Sequence, residues 1–130
     1  MTTIELLQKA GFKSTKTFDD ETNEAEEKLG IKLAQDYKEY LINFAQLSIK
    51  GHELTGVVVK NYLNVVTATC DARQYLLPRY HDMYVIESLG IDGIIIWQKP
   101  NGEVYQTVPD GIPDKIQSSF YDYLEKEILI

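Results

Sequence analysis

The sequence predicts an α+β fold: a single domain over residues 1–130, a mostly antiparallel sheet with N-terminal helices and a C-terminal helix packed on it. Three observations predict it. Tyr37, Tyr40, Leu41, Phe44 and Leu47 recur at helical spacing and make one apolar helix face. Two strand-like runs, residues 94–98 and 103–108, are joined by Lys99-Pro100-Asn101-Gly102, where an early Pro and a late Asn-Gly suit a hairpin. Helical signals come first, then strand signals with one helix between them, then a last helix, and no repeat or low-complexity segment interrupts the order. A chain of 130 residues suits one domain and can bury a real core.

Each element has a local reason. Thr2 and Glu5 stand at capping-box spacing, Ile4, Leu6 and Leu7 follow, and Gly11 ends the turn, so a short first helix is expected. Residues 12–18 are mixed and read as a loop. Asp19 or Asp20 can cap a second helix, whose acidic first turn complements the helix dipole and which Gly30 ends. Ile31-Lys32-Leu33 reads as an extended link, and the third helix runs from about Ala34 to about Leu47 with its aromatic stripe in the core.

Gly51 and Gly56 bracket a turn-rich stretch, and the β-branched run Val57-Val58-Val59 after it reads as a buried strand. Residues 62–77 read as a helix with Leu63, Val66, Cys70 and Gln74 or Leu77 on one face, limited by Pro78. Tyr84-Val85-Ile86 is a further strand. In the second hairpin strand Val104, Gln106 and Val108 alternate with Glu103, Tyr105 and Thr107, so one face packs while the other meets solvent. Pro109, Gly111 and Pro113 make a rigid turn-rich segment, after which Ser118 or Ser119 caps a last helix carrying Phe120, Tyr121, Leu124 and Ile128.

Composition excludes several classes. A hydrophobic fraction of 44%, a charged fraction of 25%, and nine Tyr, four Phe and one Trp describe an ordinary globular protein with enough apolar surface to order itself. The net charge of −7 argues against direct nucleic-acid or anionic-membrane binding and favours a basic partner. The charge is uneven: residues 1–86 hold twelve acids and ten bases, a net of −2, while residues 87–130 hold eight acids and three bases, a net of −5. Cys70 is the only cysteine, so no intrachain disulfide forms, and its setting suggests a small core residue. MTTIELLQKAG has neither a basic start nor a long apolar run, so no signal peptide is expected. The apolar run at residues 94–97 is too short to cross a bilayer, and a cytoplasmic protein is expected.

No catalytic residue, metal site or cofactor is expected. His52-Glu53 and His81-Asp82 are neighbours in sequence, but adjacent side chains point apart on a helix or strand, so adjacency makes no dyad. His52, His81, Cys70 and a carboxylate lack any CxxC, HxxxH or HExxH spacing. The serines and glycines form no GxSxG, GxGxxG or P-loop. What remains is recognition. Glu87, Asp92, Glu103, Asp110 and Asp114 fall on or beside predicted turns and the hairpin, and are the candidate partner-binding residues. A solvated acidic rim is the simpler reading of each.

The stretch of residues 24–47, EAEEKLGIKLAQDYKEYLINFAQL, carries a resemblance. Leu29-Gly30-Ile31, then Leu33-Ala34, then Asp36-Tyr37-Lys38-Glu39-Tyr40-Leu41 resembles the opening helix pair of the SUKH superfamily. The likeness extends over most of the chain, but only residues 29–41 are specific. Ala34 stands where the family usually has Pro, and residues 45–51 replace a common Asn-Gly-Gly loop. The resemblance implies one SUKH-like domain and a non-enzymatic role. Many bacterial members are immunity proteins that bind and neutralise a cognate toxin domain, several of them against nuclease or other toxins; fungal members are regulatory scaffolds. No binding residue transfers by motif, because toxin-binding surfaces vary among members. If Asp110 and Asp114 are rim charges for such a partner, reversing both should slow association more than it speeds dissociation, measured by stopped flow at low salt.

Overall fold

A computed structural model describes residues 1–109 and 111–130. Helix α1 (Thr3–Lys9) opens on the expected capping box: the Glu5 N–H donates to Thr2 Oγ1 and the Thr2 N–H to Glu5 Oε1, both at 3.1 Å. Helix α2 (Asp19–Leu29) ends at Gly30, whose φ of +71° is the left-handed turn that glycine adopts without strain. Its N-terminal cap is Phe18 rather than Asp19 or Asp20; Asp19 is already helical, and its charge faces the dipole from within the first turn. Helix α3 (Gln35–Phe44) begins after Ala34 and stops earlier than the periodicity suggests. The chain reverses at Ala45 (φ +62°), whose carbonyl accepts from the Val57 N–H, and the Leu47 N–H donates to the Tyr40 hydroxyl.

The strands follow. Ser48–Ile49 (β1) and His52–Glu53 (β2) form a small hairpin about Lys50-Gly51. Helix α4 spans Val65–Arg73. Tyr84–Ser88 (β3), Ile95–Gln98 (β4), Val104–Thr107 (β5) and Asp114–Gln117 (β6) then make one antiparallel sheet in the order β3-β4-β5-β6. Helix α5 (Phe120–Tyr123), capped by Ser119 Oγ as expected, continues into a π-helical turn over Leu124–Ile128. The expected α+β architecture and the hairpin are present; β6 was not expected, because Asp-Lys-Ile-Gln has one apolar residue and no alternation to signal a strand.

Two further expectations are corrected. Val57-Val58-Val59 is not a buried strand: Val58 is 62% exposed and takes φ +62°, unusual for a β-branched residue. The surrounding backbone is committed elsewhere. Gly56 donates to the Leu63 carbonyl and accepts from the Val65 N–H, and it lies so close to Ala45 that a Cβ would stand 2.2 Å from the Ala45 carbonyl oxygen. In α4 the buried residues are Val65 and Thr69, and Cys70 faces solvent. Asn64 Oδ1 accepts from the N–H groups of Val66 and Thr67, so the helix starts at Val65 and its faces fall one step from those read off the periodicity.

The sheet has two faces. On one, Tyr84, Ile86, Ile96 and Val104 join the main core with Leu7, Leu29, Tyr37, Tyr40, Leu41, Phe120 and Leu124 from the helices. Here the tyrosines pack as rings: the Tyr37 centroid lies 5.3 Å from Phe120, edge-on, and 5.1 Å from Tyr84. On the other face Met83, Val85 and Trp97 form a smaller core under Ala68, Ala72 and Leu76 of the α4 region. Buried hydroxyls tie the layers together. Tyr37 Oη meets Thr55 Oγ1 at 2.7 Å, Thr55 Oγ1 donates to the Val85 carbonyl, and Tyr40 Oη donates to the Thr55 carbonyl.

Burial pushes the phenols of Tyr37, Tyr40, Tyr84 and Tyr123 far above their ordinary value. A raised folded-state pKa means that above about pH 10 the unfolded chain has lost protons that the folded chain keeps. Stability from these groups is therefore fully present below about pH 10 and should fall above it, by up to about 1.4 kcal/mol per pH unit for each phenol. In an absorbance titration of tyrosinate, these four should ionise only together with the loss of the native circular-dichroism signal.

Candidate protein-docking site

The candidate acidic residues divide by the register of the sheet. Ser88 pairs with Ile95, Ile95 with Thr107, and Gln106 with Asp114, so the β3–β4 turn and the β5–β6 connection lie at one end. Asp92 and Asp114, both exposed, therefore sit at this end of the sheet. The two loops meet there: a Cβ on Gly93 would stand 2.8 Å from Pro109 Cγ. Asp110 lies outside the described residues.

Glu103 lies at the opposite end, beside the β4–β5 turn, and its carboxylate is occupied. Oε1 accepts from Asn101 Nδ2 at 3.0 Å and from the Tyr105 hydroxyl at 2.9 Å, while Oε2 lies 3.0 Å from Lys115 Nζ. Lys115, with Asn101 and Tyr105, lowers its pKa to about 2. Glu103 braces the hairpin.

Glu87 is not on the surface at all, and that expectation is corrected. It is 2% exposed, held inside by a β-bulge between Val85 and Glu87. Its Oε2 lies 2.8 Å from His52 Nδ1, and its Oε1 accepts from the Tyr123 hydroxyl. Burial and this carboxylate together push the Tyr123 phenol far up. His52, Glu87 and Tyr123 thus pin β2, β3 and the C-terminal helix to one another. The neighbouring pair in sequence, His52-Glu53, turns away from this contact: Glu53 accepts from Tyr62 instead.

The open concavity lies on the second face of the sheet. Helix α4 packs against β3, and Trp97 of β4 is covered as well, 1% exposed; a groove of about 480 Å3 remains between the helix and the end of the sheet marked by Ser88, Ile95 and Thr107. Tyr62, Ala68, Asp71, Ala72, Tyr75 and Leu76 form the helix-side wall. Val85, Ile95, Trp97 and Thr107 make the floor, and Gly93, Val108, Pro109 and Gly111 close the end beside Asp92 and Asp114. Tyr75 is 87% exposed and Tyr62 and Val108 are exposed with it, while Ile91 and the 74%-exposed Ile112 project from the two end loops. Asp71 is the one charged residue among the described lining. The polar groups of the floor are largely occupied, since Trp97 Nε1 donates to Thr107 Oγ1 at 2.9 Å and the Val85 N–H donates to Thr69 Oγ1, while Ser88 adds an exposed hydroxyl at the end of β3.

The sequence singled out none of these groove residues as functional. Tyr62, Asp71, Tyr75 and Trp97 come from three elements, and only the crossing of α4 over the sheet brings them together. The available signal was the frequency of large apolar residues around α4, but the predicted helix face of Leu63, Val66, Cys70 and Gln74 or Leu77 contained none of the wall residues.

Among the described residues no group of three or more His, Cys, Asp or Glu side chains could hold a metal ion, and no helix is long and apolar enough to cross a membrane. A family model described as SMI1-KNR4 cell-wall, one of the SUKH models, matches residues 2–129. The chain belongs to the SUKH superfamily. No curated protein matches it at a significant level. The motif of residues 29–41 thus marked the family correctly, and within this SUKH domain it builds the α2–α3 corner of the core rather than the groove.

The burial of Glu87 yields a stability expectation. Glu87→Ala strands the Tyr123 hydroxyl and empties a buried site, and should cost about 2–4 kcal/mol in urea unfolding. Glu87→Gln retains a carbonyl acceptor for Tyr123 and should cost less than half as much.

Proposed function

We propose that this SUKH domain is an immunity protein that binds a cognate bacterial toxin domain in the cytoplasm and neutralises it by covering it, without chemistry of its own. Family membership supports the role class. The observation that carries the reading is the groove of about 480 Å3 beside α4, where exposed Tyr62, Tyr75, Ile91, Val108 and Ile112 adjoin the acidic end loops. Apolar surface ringed by charge is how protein interfaces are built, with anchors at the centre and a polar rim outside.

Electrostatics favours a basic target. The chain carries a net −7, and a toxin that handles nucleic acid needs cations to hold phosphates. Opposite fields steer such a pair together and raise the association rate. A stable complex would bury roughly 800 Å2 on each partner, so contact would extend beyond the groove itself. The same acidic field opposes direct binding to nucleic acid or to an anionic membrane.

Co-expression with the toxin domain encoded beside the gene tests the reading. Cells should survive, and the two proteins should elute together from a sizing column. Continued toxicity with no complex would overturn it. A stable partner recovered from cells that lack any toxin would favour a regulatory scaffold of the same fold.

A further inference from the structure

We infer that the groove between α4 and the sheet receives a cationic amphipathic segment of the partner, whose apolar side chains pack on Tyr75, Leu76, Ile95 and Val108 while its lysines or arginines meet Asp71 and Asp92. The inference rests on the protein-binding reading above and specifies which chemistry is bound.

The division of polarity in the groove selects this occupant. Its interior offers mainly apolar contact: the indole N–H of Trp97 is spent on Thr107, the Val85 N–H on Thr69, Ile95, Leu76 and Ala72 present carbon, and Ser88 is the small polar side chain in the lining. A polar small molecule would lose more hydration there than one hydroxyl returns. The volume, about 480 Å3, lies within the range of roughly 300–1,000 Å3 found for pockets that enclose a bound group, so several side chains fit. Charge is confined to the rim, where the cations on this face of the sheet, Lys99 and Lys115, are held by Asp82 and Glu103. Asp71 stands on the helix-side wall and Asp92 at the loop end, Asp114 falls on the main-core face with its partner Gln106, and no Lys, Arg or His is among the described lining residues.

Two rival occupants fit less well. A second copy of this chain would bring a second acidic rim against the first, and both chains carry −7. An anionic membrane would meet the same repulsion. A segment with apolar residues on one side and cations on the other satisfies the floor and the rim together, as an amphipathic helix does in a hydrophobic groove.

Trp97 is the sole tryptophan and lies, 1% exposed, beneath the groove lining, so its fluorescence senses changes in the side chains packed over it. The probes are three synthetic peptides: KLLKLLKKLLKL, its acidic counterpart ELLELLEELLEL, and KSSKSSKKSSKS, which keeps the charge and removes the apolar face. The first should shift Trp97 emission saturably, and the other two should not. Ala72→Arg, which fills the groove, and Tyr75→Ser, which alters a side chain outside the core, should each weaken binding at least about tenfold. Glu27→Gln on α2 should leave it unchanged.

Equal binding of the lysine–serine peptide would overturn the inference in favour of general charge attraction, and equal binding of the acidic peptide would overturn it in favour of unselective apolar contact. Sedimentation showing a dimer that Ala72→Arg dissolves would assign the groove to a second copy. In co-expression the two readings separate. If the parent protects and folded Tyr75→Ser and Ala72→Arg protect equally well, the groove assignment falls and the immunity reading stands. If the parent gives no protection, the immunity reading falls whatever the peptides do.

Discussion

One carboxylate fixes how the layers of this domain meet. Asp36, in the first turn of α3, accepts from the Phe120 and Tyr121 N–H groups through Oδ2, and from the Tyr37 N–H and Gln98 Nε2 through Oδ1. It joins the start of α3, the start of α5 and the hairpin end of β4 at one point. Gln98 extends the network: its Oε1 accepts from Tyr84 Oη, which in turn accepts from the Ala34 N–H, and its Nε2 also reaches the Gly102 carbonyl. Hydrogen bonds to a charged acceptor contribute about 1.5–3 kcal/mol each, and leaving such donors unmet in a core costs a similar amount. Removing this residue would cost more than the contacts of one side chain, because three elements would lose their common reference.

That constraint also explains where function has room to act. Asp36, Tyr37 and Tyr40 draw α3 and α5 onto one face of the sheet, and α1 and α2 pack around them. The remaining helix, α4, is left to cover the other face. It is nine residues long and packs chiefly against β3, so it shields Met83 and Val85 and leaves the strands beyond them partly open. The groove is therefore a consequence of helix count and length set against a four-stranded sheet. The His52–Glu87–Tyr123 cluster holds the C-terminal turn to β2 and β3 on the packed side, so the open side can vary without loosening the core.

Much of the fold was legible where local chemistry decides. The Thr2–Glu5 capping box, the Gly30 stop, the aromatic face of α3, the β4–β5 hairpin and the Ser119 cap each depend on residues close in sequence. The misreadings share a different cause. Val57-Val58-Val59 has strand composition, but its neighbours' backbone groups are taken by Ala45, Leu63 and Val65. Asp-Lys-Ile-Gln lacks strand composition, but β5 offers it an edge to pair with. Cys70 lies on the solvent side of α4 because Asn64 sets where that helix begins.

By itself the sequence determined the fold class, the family through residues 29–41, and the net negative charge of the chain. Those follow from spacing, capping and counted charge, all of which are local or additive. Tertiary structure decided which acids face outward. It buried Glu87 against His52 and Tyr123, saturated Glu103 with Lys115 and its neighbours, and left Asp92 and Asp114 exposed at one end of the sheet. It alone placed Tyr75 beside Trp97. The reason is geometric: exposure and adjacency across a sheet depend on register and on the crossing of α4, and both are set by contacts between residues far apart in the chain.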